Sequence, residues 1–225
     1  MTDQHKNMKT TKANLIALAA VAGLALALAG CASSGYQKGT KTAENIQAAA
    51  NRIAALPGGI DQTLAALDDL VQKPQADLRP QFKKFSSELA NMTSEAKAIA
   101  DARRGMGGQG KEFFAKWDEE LAKIHNEDIK ARSQSRKAEV QQKLQAIKQS
   151  YGEAEVSFKP FLADLKDVEK FLSVDLTTDG VSAMKGTAAK ATRDSGSLKR
   201  NLTRLADDFR ALGISMSAVT PAPAK

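Results

Sequence analysis

The chain has 225 residues, with 33 basic and 26 acidic side chains for a formal charge of +7, only 5% aromatic residues and a single cysteine. One cysteine excludes an internal disulfide, so stability must come from packing. Few aromatics amid much Ala, Lys, Glu, Gln and Leu favour long helices over a sheet.

That cysteine, Cys31, closes the run Leu28-Ala29-Gly30-Cys31, a lipobox in which a small-residue cleavage site precedes the cysteine that receives lipid. Upstream, Lys9 and Lys12 form a short positive region opening at Met8, and an apolar run follows from Leu15 to Leu28, the layout of an export signal. The run is shorter than the about 20 apolar residues of a membrane span, and no second apolar run follows it. Residues 1–30 are therefore expected to be a lipoprotein signal peptide, with Cys31 the lipidated first residue of the mature protein. Removing them takes three lysines and one aspartate, which leaves 30 basic and 25 acidic side chains, a net +5. A high pI can signal nucleic acid, but export puts nucleic acid out of reach. The basic surface then suits acidic lipid headgroups, anionic wall polymers or an acidic protein face. Ala32 after the cysteine, in place of aspartate, points by analogy with enteric sorting to the outer membrane, on its periplasmic face.

Residues 31–39 are small, polar and glycine-bearing, and read as a tether. Helical seams with 3-4 spacing fill 40–213. Ala43, Ile46, Ala50 and Ile53 begin the first, Pro57-Gly58-Gly59 interrupts it, and Ile60, Leu64, Leu67 and Val71 resume it up to Pro74. Leu78, Phe82, Phe85, Leu89, Met92, Ala96 and Ile99 continue it. Four glycines in the six residues 105–110 then predict a break, because each costs about 1 kcal/mol relative to alanine in a helix. A second leg opens near Lys111 with Phe114, Trp117, Leu121 and Ile124. Its seam turns polar and slips register around Arg132 and Arg136, as a stutter does, and runs on from Val140 to Leu172 through Pro160. Leu176 to Asp179 is a break with N-cap chemistry. The last helix carries Val181, Met184, Ala188, Ala191, Ser195, Leu198, Leu202, Leu205, Phe209 and Leu212, with Gly213 placed for a C-cap. Residues 214–225 are expected to be a disordered tail, and no period-two alternation predicts a sheet.

Legs 40–104 and 111–172 have nearly equal length. The expected fold is all-α: one long antiparallel coiled-coil hairpin bent at 105–110, far from the tether, with a third helix packed on its basal half. The base would be three-stranded and the tip two-stranded.

Chemistry-bearing motifs are sparse. Gly105 to Lys111 matches most of a P-loop, but Glu112 stands where a hydroxyl should hold magnesium and a helix, not a strand, precedes it. After residue 30 the one histidine is His125, and no zinc spacing exists. Glu119-Glu120 and Asp207-Asp208 are sequence neighbours, which do not face each other on a helix, so they read as solvated faces rather than an acid–base couple. The expectation is no enzyme, no cofactor and no metal. Arg132 and Arg136, with Lys130 and Lys137, are either cationic side chains laid over a weak seam or a partner contact. Arg103 and Arg104 at the expected bend carry the same two readings. Trp117, with Phe113 and Phe114, is either a core plug or a binding platform.

The stretch Phe113-Phe-Ala-Lys-Trp117-Asp-Glu-Glu-Leu121, followed by His125-Asn126-Glu-Asp-Ile129-Lys-Ala-Arg132-Ser133, resembles a bacterial domain-of-unknown-function family of exported, coiled-coil-rich proteins. Tyr151, Glu155, Pro160 and Leu162, then Val168 to Leu172 and Asp175-Leu176-Thr177, extend the likeness over most of 36–217. Asp175 and Thr177 stand where the family more often has asparagine. The resemblance implies an all-helical exported protein and brings no activity, cofactor or catalytic residue with it.

Together these features predict a non-enzymatic, lipid-anchored envelope lipoprotein acting as helical spacer, scaffold or adaptor. Its partners would be the membrane, through the lipid, and an envelope protein, with room for an oligomer. The alternative is a periplasmic binding module, a holdase or lipid or peptide carrier. A tail rich in proline and ending in Lys225 also has the layout of a wall-linked lipoprotein, with the lysine amine open to a transpeptidase.

Overall fold

A computed structural model describes residues 35–217, and among them every regular element is a helix. Helix α1 spans Gly35–Gln72, α2 Arg79–Ala122, α3 Glu127–Val174, α4 Thr178–Ala183 and α5 Lys185–Met216. The all-α expectation holds. The connectivity differs from the expected one at three places.

The first is Pro57-Gly58-Gly59, where α1 continues unbroken. Pro57 leaves the Ile53 carbonyl without its helical donor, and the glycines add conformational cost. Against this, Ile53, Leu56 and Ile60 are buried in phase on both sides of the motif, so the seam outweighs the local preference. Thr63 inside this stretch is buried and satisfied, its hydroxyl donating to the Gly59 carbonyl at 2.8 Å.

The second is the segment 73–78, which reverses the chain rather than merely interrupting a leg. Pro74 follows the end of α1 and Pro80 sits in the first turn of α2, both positions where a missing N–H is tolerated. Gln81 holds the reversal from within. Its buried side-chain amide donates to the Asp69 carbonyl at 3.1 Å, the Asp69 carboxylate at 2.9 Å and the Lys73 carbonyl at 3.0 Å, and its oxygen accepts from the Gln75 N–H at 3.0 Å. The carbonyls left over at the end of α1 thus find donors.

The third is the glycine segment 105–110, which is helical and lies inside α2. The turn between the long legs is at 123–126 instead. There Lys123 caps α2, its N–H reaching the carbonyls of Glu120 and Leu121. Asn126 caps α3, its side chain accepting from the Ile129 N–H at 3.1 Å, with Glu127 and Asp128 in the first turn of α3. Ile99 and Phe114, expected to face each other across a bend, lie on one helix about 22 Å apart along its axis.

Elsewhere the helices follow expectation. The α3 helix passes through Pro160; both Pro160 and Val156, whose carbonyl loses its donor, are exposed, so water can serve that oxygen. The break near Leu176 to Asp179 is present. Thr177 accepts from the Gly180 N–H at 3.0 Å and donates to Asp175 at 2.8 Å. The last helix splits at Met184 into α4 and α5 and runs past Gly213 to Met216, so Gly213 is interior and not a cap.

The long helices form an up-down-up-down bundle, with α2 and α5 flanking α1 and α3 beside α5. Cross-helix contacts fix the register. Thr63 meets Met92, Lys199 pairs with Asp61 at 2.6 Å, Arg204 with Glu153 at 2.9 Å, and Lys190 with Asp164 at 2.5 Å. The base is therefore four-stranded rather than three-stranded, because the expected first leg folds back on itself at 73–78. Phe85, Ile60, Leu67, Phe161, Leu165, Leu198 and Leu205 fill its centre.

Antiparallel packing sends the start of α1, the end of α5 and the 123–126 turn to one pole. Segments 73–78 and 175–184 form the other. Beyond Val140, where α5 ends, the α2–α3 pair continues beside the first turns of α1 and then alone, as an arm whose seam is thinly buried, with Leu121 its last fully buried side chain on α2.

Candidate functional site

Two features merit attention as sites: the arm, and the level at which all four long helices meet below it. At that level Ala49 and Ile53 of α1, Ile99 and Ala102 of α2, Tyr151 of α3 and Phe209 of α5 enclose about 10 Å³, the space of a single water. Arg52 and Arg103 stand at its rim. Arg103 lies over the Tyr151 ring, 4.2 Å from the centroid, a cation–π contact. Burial pushes the Tyr151 phenol above its ordinary pKa, and the Glu155 carboxylate adds to this, while Arg103 and Arg104 act against it. The phenol is thus held neutral and can donate a hydrogen bond. Arg104 pairs with Asp101 one turn back on its own helix.

The arm is built from the far halves of the hairpin. Phe113, Phe114 and Trp117 form an edge-and-stack cluster with centroid separations of 5.5 to 6.4 Å. The Trp117 indole N–H donates to the Ser133 hydroxyl at 2.9 Å across the seam. This satisfies the polar end of a half-buried ring, as a core plug requires. One edge of the arm is closed by an ion pair between Lys137 and Asp118. Along the other edge, Arg136 pairs with Glu139 at 2.9 Å, Arg132 is exposed, and Ile129 leaves 53% of its surface to solvent. Glu119 and Glu120 both reach Lys123, at 3.3 and 2.8 Å.

The two arginine pairs are not one site. Arg103 belongs at the height of Tyr151, which lies 19 residues beyond Arg132 on α3, about 28 Å along the axis. Arg103 and Arg104 are mid-helix rather than at a bend. Cys31 and Lys225 fall outside the described residues. His125 is exposed in the turn, and no group of three or more His, Cys, Asp or Glu side chains is placed to hold a metal among the described residues. The P-loop-like segment is helical, so its backbone N–H groups are engaged in the helix ladder rather than arranged around a phosphate. Asp208 and Glu139 flank Lys143 in an open groove of about 380 Å³ between α3 and α5. No described helix is long and apolar enough to cross a membrane.

Sequence reasoning missed the Arg103–Tyr151 contact, which joins residues 48 apart, and the Gln81 hub. The first turn of α2, Arg79-Pro80-Gln81-Phe82, carries no local signal for the latter. A family model for proteins of unknown function, DUF2959, matches residues 29–211. The chain belongs to that family. No curated protein and no solved structure matches it. The match runs through α1 to α4 and most of α5, and assigns no activity to any of them.

Proposed function

We propose that the protein is a non-enzymatic cell-envelope lipoprotein, held by lipid on Cys31 at the periplasmic face of the outer membrane, whose helical body is a scaffold or adaptor for a protein partner. The observation that carries this reading is Leu28-Ala29-Gly30-Cys31 behind a basic and then apolar leader. Several acyl chains on one cysteine, at about 0.8 kcal/mol per buried CH₂, suffice to anchor a soluble body.

The bundle adds a direction to the proposal. Residues 32–34 separate Cys31 from the first residue of α1, and a chain of that length reaches at most about 14 Å. The pole that holds the arm is then tied to the bilayer surface. The opposite pole, with segments 73–78 and 175–184, extends from it by up to the length of α1, about 57 Å at 1.5 Å per residue. That reach suits a spacer as well as a scaffold or adaptor.

The test is metabolic labelling with a palmitate analogue followed by membrane fractionation. Wild type should carry label and sediment with the outer membrane, and Cys31→Ala should lose both properties. Unlabelled wild type would end the lipoprotein reading. In-cell crosslinking then separates the two roles: a discrete protein partner supports the adaptor, whereas adducts spread over unfolded chains or lipid would replace it with the carrier.

A further inference from the structure

Among the described residues five large apolar side chains are exposed, and three of them share one face of α3: Val156, Phe171 and Val174, with 74%, 39% and 87% of their surface open to solvent. Pro160, Ala163 and Asp167, also exposed, complete that face. The steps along it, from Val156 to Val174, are 4, 3, 4, 4 and 3, the spacing of a helix–helix seam. It is the reverse side from the core. Val156, Ala163, Asp167 and Val174 each stand two residues, about 200° of helix, beyond the buried Ala154, Phe161, Leu165 and Leu172. The packing of α3 against α5 and α2 uses its other sides, so no described helix covers this second seam. It runs about 27 Å to the end of α3, at the pole opposite the arm.

The polar groups on and beside the stripe decide what can lie there. Pro160 leaves the Val156 carbonyl without its helical donor, and the Asp167 carboxylate stands mid-stripe, so the stripe itself offers acceptors only. Along the α5 side, Glu153 and Asp164 are already engaged, by Arg204 at 2.9 Å and Lys190 at 2.5 Å. Along the α2 side stand Lys159, Lys166 and Lys170. Lys159 pairs with Glu155 at 2.8 Å, whereas Lys166 and Lys170 have no carboxylate partner among the described residues. A second copy fits this pattern badly. Antiparallel pairing centred on Ala163 would bring Lys159 beside Lys166 of the other copy, twice, and parallel pairing would set Asp167 against itself. A bilayer would bury the Asp167 carboxylate unpaired. A helix of another protein meets every requirement when it carries apolar residues at 3-4 spacing, a basic or amide side chain opposite Asp167, and acidic residues along the edge that faces Lys166 and Lys170. We infer that the outer face of α3, from Val156 to Val174, is the docking face for such an acidic-edged amphipathic helix of a partner protein. The inference rests on the protein partner of the adaptor reading and does not depend on lipidation of Cys31.

Photocrosslinking in cells tests it, with p-benzoylphenylalanine placed in the full chain at Ala163 or Val174 on the stripe, and at the exposed Ala65 of α1 as control. Ala163 and Val174 should capture the same protein, with both attachments on one helical segment that has an acidic edge, and Ala65 should not capture it. A synthetic peptide of that segment should bind the purified full chain. The variant carrying Lys166→Glu and Lys170→Glu should bind it about tenfold more weakly or worse, at unchanged helicity. A peptide whose acidic edge is changed to lysine should regain affinity for that variant. A stripe that captures nothing overturns the proposal. So do adducts with lipid, with a second copy or with a segment lacking the acidic edge, and so does a double variant that binds like wild type. A partner crosslinked through lysines of another face, with the stripe silent, overturns this face and leaves the adaptor reading standing; absence of any protein partner by either method ends both.

Discussion

Gly180 and Gly213 look alike in the sequence and behave differently in the fold. A Cβ on Gly180 would lie 2.3 Å from the Asp175 carbonyl oxygen, a backbone atom that cannot step aside without undoing the Thr177 cap. Gly180→Ala should therefore cost about 1–3 kcal/mol, read as a fall in the urea midpoint. A Cβ on Gly213 would meet Ile46 Cγ2 at 3.4 Å and the Ala43 carbonyl at 3.5 Å, ordinary contact distances. Gly213→Ala should be neutral or stabilising, because alanine is the better helix former. Leu165 and Leu202 are buried in the four-helix section, and truncation of either to alanine should cost about 2–5 kcal/mol. Glu119→Ala, on the exposed side of α2, should change stability by no more than about 0.5 kcal/mol. The apolar seams show which side chains are buried: nearly every residue from Ala43 to Val71 and from Ala188 to Leu212 placed on a seam is in the core. The polar contacts that lock the ends, through Gln81 and Thr177, depend on neighbours that only the folded chain brings together.

At the scale of elements, the glycine segment is the sharpest departure from the sequence reading. Glycine content argues for a break at 105–110, yet caps and packing put the stop fifteen residues later. Asn126 followed by Glu127 and Asp128 carries the signature of a helix start, and that signal was legible beside the register slip. Glycine content measures the cost of a helix but not what the alternative would forfeit. A turn at 105–110 would pull Trp117 away from Ser133 and Arg103 away from Tyr151. The cost nonetheless remains stored in α2, because a Cβ on Gly108 or Gly110 would meet nothing within 4 Å. No packing demand explains either glycine. Gly108→Ala and Gly110→Ala should each stabilise the helix by about 0.5–1 kcal/mol and slow amide exchange across 100–115. Exchange that is unchanged in both variants would mean that this segment is not the weak point of α2.

For the whole molecule, the seam pattern tells which face of a helix is buried but not which helix meets it. That is why the all-helical class could be read directly while the topology could not. Lys73 to Leu78 was visible as an interruption, and nothing local distinguishes a pause from a reversal; the Gln81 bonds that fix the reversal span up to twelve residues. Moving the turn from 105–110 to 123–126 and reversing the chain at 73–78 together bring the start of α1 to the same pole as the arm. Everything proposed about orientation rests on α2 running straight through its glycines. The most direct measurement is therefore a spin-label distance between positions 97 and 116, both exposed lysines on α2, introduced as cysteines in a Cys31→Ser background. A continuous helix places their Cα atoms about 28 Å apart, 19 residues at 1.5 Å each. A distribution centred there, narrow and unchanged on dilution, is the expected result. Two antiparallel legs folded at the glycines would bring the same positions to about 10 Å, the spacing of packed helices, and a peak at that short distance would contradict the fold and the arm with it.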